Sequence, residues 1–133
     1  MAESVPTRDD VRTMWVRLVD HQVDRQEAYD WARPWVESLA SSNDPMAITG
    51  LQYLHGFYQS HDPHSPGVTR MGPWIEWVKD DAQISSDLER WEKRCEEYDR
   101  DPAGFMCRAK ELAIREFKRQ YPNRTLKSDL HDE

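Results

Sequence analysis

His55, His61, Asp62 and His64 fall within one short stretch of the chain. Imidazole and carboxylate are suitable ligands for zinc, iron or manganese, so these four residues are the candidate set for a metal-dependent hydrolase. His61 and His64 share a loop, and His55 lies one turn from the end of the preceding helix, within reach of both. The loop itself, QSHDPHSPG, is rich in turn formers. Asp62-Pro63 and Ser65-Pro66-Gly67 are ordinary turn chemistry, and only two of the ligands have a fixed local spacing. The expectation is that no metal site is favoured there and that the protein works without a cofactor.

A second group of chemically able residues is acidic. Asp80, Asp81, Glu89, Glu92, Glu96 and Glu97 lie in or just before a helical pattern over 86–99. Paired carboxylates can act as general acid and base. Such a run is more commonly a solvated helix face, and Glu89 with Lys93 is a favourable pair four apart. Glu92 and Glu96 are like charges four apart, which costs a few tenths of a kcal/mol in an isolated helix. A basic protein partner would make use of that arrangement. Tryptophans form a third group. Trp31 and Trp35 repeat at helical spacing and read as core. Trp74 and Trp77 follow the longest loop, so they are the better candidates for an exposed apolar anchor at an interface. The Walker loop, the dinucleotide fingerprint, H-E-x-x-H and G-x-S-x-G do not occur.

The elements that would carry these residues are mostly helices. Thr7 with Asp10, Asp24 with Glu27, and Ser86 with Glu89 have capping-box spacing, while Asp44-Pro45 and Asp101-Pro102 pair an N-cap with proline at the first helical position. Apolar stripes follow each start: Val11, Trp15, Leu18 and Val19; Ala28, Trp31, Trp35 and Leu39; Ile48, Leu51, Leu54 and Tyr58; Leu88, Trp91, Cys95 and Tyr98; Phe105, Ala109, Leu112, Ala113 and Phe117. Pro34 falls inside the second stripe, where it kinks a helix or removes a bond. PWIEWV, from Pro73, fits a short helix by Trp74, Trp77 and Val78 and a strand by Trp74, Glu76 and Val78; helix is the expectation. The fold class expected is all-α, an array of five or six helices with at most one short strand near 74–78. It forms a single domain over 1–127 and a frayed tail over 128–133.

Composition sets the outer bounds. The 133 residues suffice for one core, and 38% are hydrophobic against 32% charged, with six Trp, five Tyr and three Phe. A few large rings then supply the burial that aliphatic residues do not. Formal net charge is −7 and uneven. Residues 1–66 hold ten acids and five bases, 67–107 ten and six, and 108–133 five and seven. An acidic body disfavours nucleic acid, whose phosphates need Lys and Arg. Arg108, Lys110, Arg115, Lys118, Arg119, Arg124 and Lys127 give the last helix a basic edge, suited to its negative C-terminus and to the acidic helix before it. Cys95 and Cys107 make no disulfide framework and read as small apolar residues. With no long apolar run and no basic, apolar N-terminus, the expectation is a cytoplasmic protein without a membrane partner.

Two resemblances bear on function. His61-Asp62 resembles the histidine-aspartate pair of the helical HD phosphohydrolases, in which the pair sits on a helix. Here Pro63 follows directly and pushes Asp62 out of helical geometry, so the pattern departs from that family. MWVRLVDHQVDRQEAYDWARPWV (14–36), GLQYLHG (50–56) and YDRDP (98–102) together are similar to a pattern in small bacterial proteins: a Trp-led helix, an Arg-x-Glu-Ala element, Trp-Ala, and a Tyr-Asp-x-Asp-Pro element. Proteins of this kind resemble immunity proteins of polymorphic-toxin or contact-dependent inhibition systems. The likeness covers about a third of the chain and transfers no catalytic residue. It implies a non-enzymatic protein that neutralises a toxin by direct contact. The alternatives are the metal-dependent hydrolase and an accessory or scaffold protein with another protein partner.

Overall fold

Short polar side chains start the first three helices of the computed structural model, which describes residues 5–38 and 44–123. Thr7 Oγ1 accepts the Asp10 N–H at 3.2 Å and the Asp10 carboxylate accepts the Thr7 N–H at 3.0 Å, opening α1 (Arg8–Val19). Asp24 and Glu27 repeat the exchange at α2 (Arg25–Glu37), and Asp44 accepts the Met46 N–H ahead of Pro45 at α3 (Pro45–Gly56). Each pairing satisfies amides that the first helical turn leaves orphaned. Pro34 removes one donor from α2 without ending it. Leu39, Arg124, Lys127 and the 128–133 tail lie outside the described residues.

The fourth helix starts earlier than its sequence suggests. The Ser86/Glu89 capping box does not form, because α4 spans Asp81–Arg100 and Ser86 lies in its second turn. Asp80 and Gln83 make the box instead: the Gln83 N–H donates to Asp80 Oδ1 at 2.8 Å and the Asp80 N–H to Gln83 Oε1 at 2.9 Å. Starting there brings Ile84 onto the buried stripe ahead of Trp91. The described residues thus form five helices and one two-stranded sheet, a predominantly helical fold. None of the described helices is long and apolar enough to cross a membrane.

Contacts divide the chain into two compact units, Met1–Arg94 and Cys95–Glu133. In the first, α1, α2, α3 and the start of α4 enclose Val11, Trp15, Ala28, Ala32, Leu51, Leu54, Phe57, Ile84 and Trp91. Trp15 and Trp91 are fully buried, with ring centroids 5.5 Å apart. Their indole N–H groups are satisfied by carbonyls, Trp15 to Ile84 at 3.0 Å and Trp91 to Met46 at 2.9 Å. At roughly 200 Å² and 25 cal/mol per Å², each ring contributes on the order of 5 kcal/mol of transfer free energy as an upper figure. The rings require close helix approach. A Cβ on Gly50 would lie 2.5 Å from Val11 Cγ1 and 3.0 Å from the Trp91 ring, so only glycine fits on α3 there.

In the second unit, Asp101 caps α5 (Pro102–Gln120) by accepting the Gly104 N–H. Tyr98 meets Phe105 edge-on at 5.8 Å. The expected inward stripe is only partly realised. Phe105 is buried, whereas Ala113 is exposed and Leu112 is 59% exposed. The unit is too small to enclose the outer half of its own apolar stripe. Cys95 is buried as expected; Cys107 is exposed. Basic residues of α5 pair locally, Arg119 with Glu116 at 2.5 Å and Arg108 with Asp101 at 3.9 Å.

Candidate functional site

The loop expected over 59–67 contains half of a hairpin. β1 (Gln59–His61) pairs antiparallel with β2 (Thr69–Met71), placing Ser60 opposite Arg70. Asp62 closes the turn from within. Its buried carboxylate accepts the His64 N–H at 2.8 Å and the Arg70 Nε at 2.7 Å. The His64 amide, aided by the Arg70 guanidinium and opposed by desolvation, holds this carboxyl below its ordinary range. Gly67 and Gly72 adopt φ of +83° and +110° on either side of β2, a region that favours glycine.

Residues 73–78 are not the expected helix. Their backbone instead covers the other edge of β1: the His61 N–H donates to the Glu76 carbonyl at 2.9 Å, and the Val78 N–H to the Gln59 carbonyl at 3.0 Å. An isolated bridge joins Ser60 to Trp77, which is all that forms of the short strand allowed near 74–78. Ser60 fixes the turn before it, its hydroxyl donating to the Gly72 carbonyl and accepting the Trp74 N–H at 2.9 Å. Pairing with β1 satisfies backbone groups that a helix at 73–78 would leave open on the strand edge.

This anchoring determines what the two tryptophans do. Trp77 is half-buried, its ring 4.4 Å from the Arg25 guanidinium and 5.9 Å from Tyr58. Trp74 points outward at 53% exposure, its indole N–H donating to the Met71 carbonyl at 3.3 Å, with Arg70 5.8 Å from its ring. Its neighbour Ile75 is 70% exposed. Two large apolar side chains therefore stand in water on a tip held at both ends by hydrogen bonds. Trp31 and Trp35 are half-buried at 5.9 Å from each other, lining an open groove with Met14 and Arg17 rather than filling the core.

The metal candidates are not brought together. His55 Nε2 sits 3.1 Å from Glu37 Oε2, and its ring lies tilted against Tyr29 with centroids 4.9 Å apart. Glu37 also takes Arg33 at 3.0 Å, and the His55 contact is the foremost reason its carboxyl is held low. His61 and His64 are exposed at the hairpin, where Asp62 is already occupied by Arg70. Among the described residues, no three His, Cys, Asp or Glu side chains are placed to hold a metal ion.

Several of the acidic candidates are also committed within the fold. Asp80 caps α4, and Asp81 takes Arg25 at 3.2 Å. Glu92 is bonded to Arg12 Nε at 2.7 Å, so it is not the free charge its place on the outward face suggested. Glu89 in the first unit and Glu96 and Glu97 in the second are exposed. Two structural residues escaped sequence reasoning. Buried Arg25 donates to the Phe57 carbonyl at 3.0 Å and the Lys79 carbonyl at 2.7 Å. Buried Asp87 takes Lys79 at 2.5 Å and Arg90 at 3.2 Å. A signal existed for Asp87, which lies three residues after Ile84 and four before Trp91, on the apolar stripe. For Arg25 there was none.

No protein-family model matches the chain, and neither a curated protein nor a solved structure matches it.

Proposed function

We propose that this is a non-enzymatic protein-binding protein, immunity-like, that neutralises a bacterial toxin in the cytoplasm by direct contact. The observation that carries the reading is the Trp74–Ile75 tip: two large apolar side chains exposed on a backbone pinned to β1. A fold gains nothing from keeping them in water. A partner gains a rigid aromatic anchor whose ordering cost is already met, as at interface hot spots. The resemblance of 14–36, 50–56 and 98–102 to immunity proteins supplies the kind of partner. Glu89, exposed in the same unit as the tip, suits a basic toxin domain, acting mainly on association rate.

The test is co-expression of the chain with candidate toxin domains taken from the genes flanking its own; a flanking region that encodes none would count against the reading. Growth should be rescued, and Trp74→Ala with Ile75→Ala should abolish the rescue while the circular dichroism spectrum stays unchanged. Association measured in vitro should slow with rising salt and with Glu89→Lys. Rescue that survives loss of both tip side chains would remove the tip from the interface.

A further inference from the structure

We infer that the open edge of β2 binds an extended segment of a partner protein, which joins the hairpin as an added strand beside Trp74. The inference rests on the tip facing a protein partner, and it names the form in which that partner docks.

The ladder of the hairpin determines which backbone groups are left over. The Asp62 N–H donates to the Val68 carbonyl at 2.9 Å and the Gly72 N–H to the Tyr58 carbonyl at 2.7 Å. Bonded and non-bonded pairs alternate along an antiparallel ladder, so in this register Arg70 bonds Ser60, while Thr69 and Met71 aim their N–H and C=O groups away from β1. The far edge of β1 obeys the same alternation. There the Gln59 carbonyl accepts from Val78 and the His61 N–H donates to Glu76. That edge is covered by 76–78, and the edge of β2 is not. Among the described residues, the Met71 carbonyl receives the Trp74 indole N–H at 3.3 Å, and nothing takes the Thr69 N–H, the Thr69 carbonyl or the Met71 N–H. Thr69 and Arg70 are exposed and Met71 is half-buried.

Outward donors and acceptors two residues apart are matched by extended main chain, which is how strand addition to a sheet edge works. Trp74 marks the same place independently. Its indole bonds a carbonyl that points out of the sheet, so the exposed ring is fixed at the end of the open edge. Arg70 lies 5.8 Å from that ring. A strand residue opposite Arg70 shares its face, and an aromatic or β-branched side chain there would cover Trp74. A second copy of β2 is a poor occupant. Pairing Thr69 with Met71 across a twofold axis sets the two Arg70 side chains directly opposite each other, where like charges are destabilising.

The probe is a displayed library of random linear peptides, selected on the full-length protein. Selected peptides should bind Met71→Leu as they bind the original. They should bind Met71→Pro at least about tenfold more weakly, because proline removes the outward N–H and puts its ring in the path of an added strand. The ladder to β1 does not use the Met71 N–H, so this substitution spares it. Amide exchange on the unaltered protein gives a second readout that holds whether or not the proline variant is destabilised. Peptide should slow exchange at Thr69 and Met71, and Arg70 and Gly72 should be slow with or without it. Failure to select any peptide, equal binding by Met71→Leu and Met71→Pro, or unchanged exchange at Thr69 and Met71 would each overturn the inference. No toxin takes part, so failure here leaves the toxin reading in place, and failure of that reading leaves these results to stand.

Discussion

Replacing Arg25 with methionine tests whether one buried cation ties the helices to the tip-bearing loop. The guanidinium bonds the carbonyl of Phe57 just past α3, the carbonyl of Lys79 at the end of the loop, and the Asp81 carboxylate at the start of α4. It also covers the Trp77 ring at 4.4 Å. Methionine keeps most of the length and packing but donates nothing. The Asp81 arm is exposed and contributes about 0–1 kcal/mol. Water can reach the half-buried Lys79 carbonyl, whereas an orphaned Phe57 carbonyl costs about 1–3 kcal/mol. Losing the cation over Trp77 adds about 0.5–1 kcal/mol. The total is about 3 kcal/mol, a large share of the ~5–15 kcal/mol that holds a domain folded. Urea unfolding followed by far-ultraviolet circular dichroism should show this loss, with Arg25→Lys intermediate. A methionine variant within about 0.5 kcal/mol of the original would refute the reasoning, since a change that small is what an ordinary surface position gives.

Further outcomes follow from other close contacts. Gly50→Ala should destabilise by about 1–3 kcal/mol in the same assay, because its methyl meets Val11 and Trp91 at sub-contact distance. Asp80→Ala should cost about 1 kcal/mol and Ser86→Ala much less, since the cap lies at Asp80; equal effects would contradict the observed helix start. Asp62 has a carboxyl pKa below its ordinary 3.8, so its contribution to stability is present above that value and lost as the pH falls through its folded value. Asp62→Asn should therefore be less stable at neutral pH and show a shallower loss in acid, read as unfolding midpoints from pH 7 down to about pH 2. An unchanged acid limb would mean the carboxylate is not used as described.

Local rules carried the reading of the helices and failed where tertiary pairing decided. Thr7, Asp24, Asp44 and Asp101 each start a helix where their spacing said, because a cap is a contact between near neighbours. Ser86 lost to Asp80 because both have a partner three residues on, and what separates them is the burial of Ile84, which spacing alone does not weigh. The hairpin was invisible for a similar reason. Gln59–His61 has no apolar alternation, and it is a strand because Thr69–Met71 and residues 76–78 flank it on either side. Of the site, Trp74 and Trp77 stand out together in the sequence by their place after the longest loop; Trp74 is exposed, whereas Trp77 is half-buried against Arg25 and Tyr58, long-range contacts that position in the chain does not reveal. Glu92 was misjudged because Arg12, eighty positions away in sequence, reaches it. No local pattern encodes such a pair.

The account rests most heavily on the tip, and affinity for the proposed toxin partner measures it most directly. Titration calorimetry should compare the unaltered protein with the Trp74→Ala, Ile75→Ala double variant, after urea unfolding has shown the two equally stable. Loss of two anchor side chains of hot-spot strength, about 2 kcal/mol each, predicts a Kd weaker by roughly a thousandfold. A Kd within threefold of the original, in a variant that folds equally well, would contradict the claim that Trp74 and Ile75 are held out of the core to bind a partner.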